Sequence, residues 1–156
     1  RIVTGVQTCA LPIFVTDTNM ALAGVNKAAL KQLNGTVRCF MADPDVAAEA
    51  KERGVTRAIV SMERAATLAG PVIFAIGNAP TALIRLYEMM QKGEIHPDFI
   101  IGTPVGFVNV VESKELICQS SVPCIVARGR KGGSNIAAAV CNALMYQVTR
   151  TQKSGK

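Results

Sequence analysis

Apolar residues occur along the chain in short runs that alternate with stretches of helical period. The runs predict five β-strands, at Ile13–Thr16, Val37–Met41, Val72–Ile76, Phe99–Ile101 and Cys124–Ala127. Between and after them, apolar residues three or four positions apart predict helices at Lys27–Leu33, Asp45–Arg53, Arg57–Leu68, Thr81–Gln91, Phe107–Cys118 and Asn135–Tyr146. Strands that alternate with helices indicate a parallel sheet.

Local signals support several of these boundaries. Asp43 is suited to cap a helix that has Pro44 at its first position, Gly54 is suited to end that helix, and Thr56 can cap the next one. The runs VIFAI and CIVA are almost continuously apolar, which is typical of strands buried on both faces. We therefore predict an α/β protein, a three-layer α/β/α sandwich with a five-stranded parallel sheet.

The composition is that of one globular domain. Of 156 residues, 49% are hydrophobic and 18% are charged, which excludes a disordered, collagen-like or coiled-coil chain. Residues 65–84 carry no charge, but glycine and proline interrupt them, so we predict no membrane span. Five cysteines stand apart, without a C-x-x-C pair or a nearby histidine, which favours reduced thiols in a cytoplasmic protein over a metal site: Cys9, Cys39, Cys118, Cys124 and Cys141.

The net charge of +6 comes from local clusters of basic residues. Arg128, Arg130 and Lys131 lie in one predicted loop, and other basic residues lie near the carboxyl terminus. The chain lacks the interleaved basic and aromatic residues of a single-strand nucleic-acid binder. We therefore expect no nucleic-acid partner and favour an acidic small molecule.

The two ends of the chain differ from the middle. Residues 1–13, RIVTGVQTCALPI, resemble the translation of a short-read sequencing adapter, so we expect a non-native segment there; an ordinary, poorly structured terminus is the alternative. We accordingly assign a domain to residues 14–148, whose natural amino-terminal part is expected to be missing. Residues 149–156 are predicted to form a polar tail.

Candidate chemistry lies after the strands, because ligands of open parallel sheets bind beyond the carboxyl ends of the strands. The segments there are 17–19, 77–81, 102–106 and 128–134. In the last of these, glycines allow close approach of a ligand to the backbone, Ser134 can cap the following helix, and cations stand beside the helix end. This pattern indicates a carboxylate or phosphate site, with a flexible surface turn as the alternative. Neither common nucleotide-binding glycine motif is present.

Three further polar positions have simpler interpretations. Asp17 is a candidate base or hydrogen-bonding group, although a capping role is more common for an aspartate at a strand end. His96, the one histidine, precedes the fourth strand and should lie in solvent at the opposite edge of the sheet. Glu112, Lys114 and Glu115 are expected to form the exposed face of a helix.

Several ordered segments carry a resemblance to a known family. AIGNAPTAL (75–83), IGTPVGFVNVVESKE (101–115) and RGRKGGSNIAAAVCNAL (128–144), preceded by DTNMALAGVNK (17–27) and GVTRA (54–58), resemble precorrin-8X methylmutase, including its cobalt-precorrin-8 form. The resemblance implies a flavodoxin-like homodimer of cobalamin biosynthesis. Such an enzyme moves a methyl group from ring carbon 11 to ring carbon 12 of precorrin-8X or cobalt-precorrin-8, giving (hydrogeno)cobyrinate without an organic cofactor or a metal centre.

The resemblance also suggests the residues of the site. The matching positions are candidate substrate contacts: Asp17, Thr56, Arg57, Asn78, Thr81, Thr103, Gly106, Arg128, Arg130 and Ser134. Arg57 and Arg130 are the best candidate partners for substrate carboxylates, since a guanidinium can pair with a carboxylate through two hydrogen bonds.

The family's histidine, which is thought to act as general acid, belongs to a region before the first strand, and His96 does not match it. The adapter-like string stands where that region would be, so we assign no catalytic residue and expect this chain to be inactive alone. The alternative function is a non-catalytic α/β module that binds corrinoids or other anions.

Overall fold

The predicted alternation of strands and helices is confirmed. The computed structural model describes the backbone of residues 11–154 and the side chains of residues 11–150. The strands are β1 (Ile13–Thr16), β2 (Thr36–Arg38), β3 (Val72–Ile76), β4 (Phe99–Gly102) and β5 (Cys124–Val126). The helices are α1 (Asn19–Gly24), α2 (Lys27–Gln32), α3 (Pro44–Arg53), α4 (Arg57–Ala65), α5 (Pro80–Gln91), α6 (Val110–Gln119) and α7 (Ser134–Ser154).

The five strands form one parallel sheet in the order β2-β1-β3-β4-β5. Val15 of β1 lies beside Phe74 of β3, and Ile76 of β3 lies beside Gly102 of β4. After β2 the chain crosses to the other side of β1 to form β3, so the topological switch point lies between β1 and β3. This strand order is that of the flavodoxin-like fold, as the resemblance implied.

Helices cover both faces of the sheet. Phe74 packs with Leu83, Ile117 and other side chains of α3, α4, α5 and α6. The next residue, Ala75, points to the opposite face and packs with Ala137 and other residues of α2 and α7. The predicted three-layer sandwich is therefore present.

The outer strands of the sheet differ from its centre. Each has three residues, and both alternate in exposure. The expectation that β5 is buried on both faces was wrong for Ile125, which is 38% exposed, because β5 is an edge strand.

Several helix boundaries differ from the predicted ones. The six-residue α1 was not predicted; Thr18 caps it by accepting a hydrogen bond from the Ala21 N–H at 3.1 Å. Helix α6 begins at Val110 and not at Phe107, because Asn109 has a left-handed backbone with φ of 57°. Helix α7 extends to Ser154, so residues 149–154 of the predicted tail are helical.

Residues 1–10 of the adapter-like segment and the last two residues of the predicted tail lie outside the described residues. Among the residues the structure describes, no helix has both the length and the apolar character needed to cross a membrane.

Candidate functional site

Four loops meet at the carboxyl edge of the sheet, where the sequence indicated a site. They follow β1, β3, β4 and β5, and they lead into α1, α5, α6 and α7, so the amino ends of these helices lie at the same edge. Unpaired N–H groups and the helix dipole give each amino end a partial positive charge. The edge as a whole is therefore suited to anions.

Asp17 occupies the switch point and is fully buried. Its Oδ1 accepts a hydrogen bond from the Gly77 N–H at 2.8 Å, and its Oδ2 accepts from Asn78 and Ala79 at 2.8 and 2.7 Å. Burial raises the pKa of this carboxyl group, although the three N–H groups act in the opposite direction. The carboxylate of Asp17 thus occupies the position that a bound anion would take, and it holds the loop after β3 in place.

The loop after β1 is joined to the start of α7. Thr18 Oγ1 donates a hydrogen bond to Ser134 Oγ at 2.7 Å. Beside them Gly77 lies so close that a Cβ atom there would be 2.6 Å from the Cα of Ser134. Only glycine fits at position 77 without displacing the backbone of α7.

Thr103 joins the loops after β4 and β5. Its carbonyl oxygen accepts from the Gly133 N–H at 2.8 Å, and its own N–H donates to the Ile76 carbonyl at 2.8 Å. A Cβ atom at Gly132 would lie 2.0 Å from the same Thr103 oxygen. Thr103 is buried, so its place in the structure is that of a link between loops.

Lys114 corrects the expectation of an exposed helix face in α6. Glu112 is exposed, but Lys114 is only 1% exposed and lies on the face that also carries Val110 and Ile117. Its Nζ donates to the carbonyl oxygens of Gly129 and Lys131, at 2.7 and 2.9 Å. Burial lowers the pKa of its ammonium group. Its spacing from Val110 and Ile117 is the sequence signal that could have revealed this position.

The cations of the loop after β5 remain on its surface. Arg128 is 73% exposed on its side chain, and its Nε lies 3.7 Å from a carboxylate oxygen of Glu115. The guanidinium carbon of Arg130 lies 6.0 Å from the centre of the Phe107 ring, a cation–π distance. Phe107 is itself 84% exposed, so a cation and an aromatic face stand together at the edge of the sheet.

The remaining predicted site residues spread along the same edge. Asn78 is exposed, Thr81 is half-buried in the first turn of α5, and Gly106 has a φ of +141° in the loop after β4. Thr56 and Arg57 are exposed at the amino end of α4, where Arg57 Nη1 donates to the Met41 carbonyl at 3.4 Å. The structure brings the loops of β1, β3, β4 and β5 together, and it does not bring Arg57 to Arg130.

His96 lies where the sequence indicated, exposed in the loop that enters β4 and thus at the opposite edge of the sheet. Within residues 11–150, no group of three or more His, Cys, Asp or Glu side chains is placed to hold a metal ion. The four described cysteines are free, and burial raises the pKa of Cys141 to about 12; Cys9 lies outside the described residues.

Comparison with known proteins gives a consistent result. A sequence profile of the CbiC family, precorrin-8X methylmutase, matches residues 7–147. A cobalt-precorrin-8 methylmutase of Priestia megaterium is 45% identical over 130 residues, which are 83% of this chain and 58% of that protein. A precorrin-8X methylmutase of Pseudomonas aeruginosa is 45% identical over 131 residues, which are 82% of this chain and 62% of that protein.

The fold agrees with these relatives. The crystal structure of precorrin-8X methylmutase from Thermus thermophilus superposes with a TM-score of 0.80 at 34% identity, covering 95% of this chain and 71% of that one. The chain spans about three fifths of the length of the curated relatives named above. Since the family profile covers most of the sequence and the strand order is the one the resemblance implied, the chain belongs to the precorrin-8X methylmutase family.

Proposed function

We propose that the protein is a corrin-ring methylmutase of cobalamin biosynthesis, an isomerase. It moves a methyl group from carbon 11 to carbon 12 of precorrin-8X or cobalt-precorrin-8. Membership of the family over residues 7–147 is the observation that carries this proposal. The curated relatives named for each of the two substrates match this chain at 45% identity.

The chemistry of the carboxyl edge supports a substrate with many acidic side chains. Arg130 and Lys131 are exposed at the end of β5, and Arg57 is exposed near the end of β2. These strands are four positions apart in the sheet, which corresponds to about 19 Å. A broad macrocycle with carboxylates around its rim can contact both ends of such an edge, while a small anion can contact only one.

Exposed apolar side chains at the same edge support a large ring. Phe107, Val108 and Val105 are all exposed in the loop after β4. The guanidinium of Arg130 lies over the ring of Phe107. The apolar surface of these three side chains is suited to the face of a tetrapyrrole, and the cations to its carboxylates. We also propose a homodimer with its site near the subunit interface, as the family resemblance implies, and a cytoplasmic location, which the isolated cysteines favour.

In this function the chain binds and orients the macrocycle. The methyl shift is intramolecular, so positioning of the ring is a large part of what the protein must supply. His96 receives no catalytic role, because it lies at the opposite edge of the sheet. The second candidate is a module that binds corrinoids or other anions without turning them over, a task that the exposed cations of the loop after β5 suit equally well.

Binding is tested by titrating the chain with the corrinoid product and following the visible absorbance of the ring. We expect Arg130→Ala to raise the Kd by roughly tenfold or more, since a charge-assisted hydrogen bond contributes about 1.5–3 kcal/mol. Lys92→Ala and His96→Ala remove exposed groups away from the site and should leave the Kd unchanged. Equal affinities for all three variants would remove Arg130 from the site.

Turnover separates the two candidate functions. The product of the complete natural gene, whatever its length, is given precorrin-8X, and the change in ring absorbance is followed. Conversion that Arg130→Ala slows supports the methylmutase. Tight binding without conversion supports the binding module, and the absence of both contradicts each of them.

A further inference from the structure

Lys114 is a buried cation that has no carboxylate partner in the part of the chain that the structure describes. The ammonium group of Lys114 is surrounded by protein, and its two hydrogen bonds go to the backbone carbonyl oxygens of Gly129 and Lys131. Among the described residues, no Asp or Glu lies within ion-pair distance of it. A buried charge that is balanced only by carbonyl dipoles leaves a net positive charge beneath the loop that follows β5.

These two hydrogen bonds fix the orientation of two peptide groups. In a trans peptide the C=O and the following N–H point in opposite directions, and the described chain contains no cis peptide bond. The carbonyls of Gly129 and Lys131 point toward Lys114, so the N–H groups of Arg130 and Gly132 point away from it. Neither N–H donates a hydrogen bond to an acceptor in the part of the chain that the structure describes.

We propose that Lys114 is a positioning residue that presents the N–H groups of Arg130 and Gly132 to a carboxylate of the ligand. The inference rests on the proposed function in one respect: it identifies which part of the site receives an acidic side chain of the macrocycle. The loop is held in this shape from two sides, since Gly132 also packs against the carbonyl oxygen of Thr103. The carboxylate would then meet two backbone donors in a loop that already carries the guanidinium of Arg130.

The test follows the backbone amide resonances of the 15N-labelled chain during titration with citrate, a polycarboxylate unrelated to corrinoids. In the wild type we expect the amides of Arg130 and Gly132 to shift with a common Kd. The amide of Gly77 should move little, because it already donates to Asp17. Wild-type spectra in which the amides of Arg130 and Gly132 do not respond would overturn the proposal, and this outcome needs no variant to fold.

Two substitutions separate positioning from stability. Lys114→Met removes both hydrogen bonds and should raise the Kd for citrate about tenfold at a temperature well below its melting point. Lys114→Arg keeps two donors and should recover part of the affinity, which a purely structural role would not require. Lys92→Met is the matched control, because it removes an exposed ammonium group at the carboxyl end of α5. An unchanged Kd in folded Lys114→Met would contradict the proposal.

Failure of the role proposed for Lys114 can be told apart from failure of the proposed methylmutase function. If citrate shifts the two amides in a Lys114-dependent way but the corrinoid does not bind, the anion site stands and the methylmutase proposal fails. If the corrinoid binds with the same Kd to the wild type and to folded Lys114→Met, the methylmutase proposal stands and the role of Lys114 fails.

Discussion

Two parts of the carboxyl edge use a buried charge in opposite ways. At the switch point, the carboxylate of Asp17 accepts hydrogen bonds from three backbone N–H groups, so the protein itself supplies the anion. At the end of β5, the ammonium of Lys114 takes two carbonyl oxygens and leaves N–H groups and cations facing outward. The sign of the buried side chain therefore decides whether the backbone N–H groups of a loop at this edge already have an acceptor or remain available to a ligand.

The comparison also separates stability from binding. The Asp17 hydrogen bonds join the ends of β1 and β3, in the centre of the sheet, so their loss should affect the whole fold. The Lys114 hydrogen bonds hold a loop beyond an edge strand, so their loss should affect mainly the ligand. Substitutions at the two places can measure this difference.

The largest expected effect is that of Asp17→Ala. The substitution leaves three N–H groups without an acceptor in a buried place, and we expect the free energy of unfolding to fall by about 3 kcal/mol or more. Urea unfolding followed by circular dichroism measures it. Asp43→Ala is the control, because Asp43 precedes α3 without a side-chain capping bond and should cost less than about 1 kcal/mol. Equal losses for the two variants would show that the three hydrogen bonds add little.

A smaller effect is expected at the junction of the β4 and β5 loops. In Gly132→Ala the new methyl group would lie 2.0 Å from the Thr103 oxygen, so the loop must move. We expect the free energy of unfolding to fall by about 2–3 kcal/mol and citrate binding to weaken. At Gly129 a new methyl group would have no neighbour within 4 Å. Gly129→Ala therefore carries only the backbone strain of a φ of +80°, which should lower the free energy of unfolding by about 1 kcal/mol. Thermal melting compares the stabilities of the two variants, and the citrate titration compares their affinities. If Gly129→Ala were the more harmful of the two, the close contact with Thr103 would not control the loop.

The smallest effect concerns pH. The pKa of Asp17 is raised above 3.8 in the folded protein, so the folded state binds its proton more tightly than the unfolded state. The contribution of Asp17 to stability is thus greatest below the unfolded pKa, and it declines as the pH rises through the folded pKa. Asp17→Asn cannot titrate there. The difference in unfolding free energy between wild type and Asp17→Asn should therefore decrease as the pH rises. A difference that increases would show that the three N–H groups outweigh burial.

Elements that are marked by a local pattern of apolar residues could be predicted from the sequence. The five strands and their parallel arrangement followed from short apolar runs separated by helical patterns, because burial between two helical layers requires such runs. The six residues of α1 have too short a pattern to recognise, and the Thr18 cap is completed by a hydrogen bond to Ser134 from the other end of the chain. The late start of α6 depends on the left-handed Asn109, which no apolar period indicates.

The candidate site was predictable in place but not in detail. The position of the loops follows from the topology of a parallel sheet. That Asp17 and Thr103 are buried links between loops depends on contacts between segments distant in sequence, such as Asp17 with Gly77. Lysine is rarely buried without partners, and the acceptors that make the burial of Lys114 possible lie on the β5 loop, which its own helix does not reveal.

The short outer strands have a consequence for how the molecule behaves among its own copies. A sheet edge with unpaired backbone groups can recruit another strand and so begin aggregation. Here β2 and β5 each present only three residues, and β2 ends in the exposed, charged Arg38. An incoming strand would find too few backbone partners at either edge to form a lasting ladder. We therefore expect the edges of the sheet, as far as the described residues form them, to be poor templates for growth into a fibre.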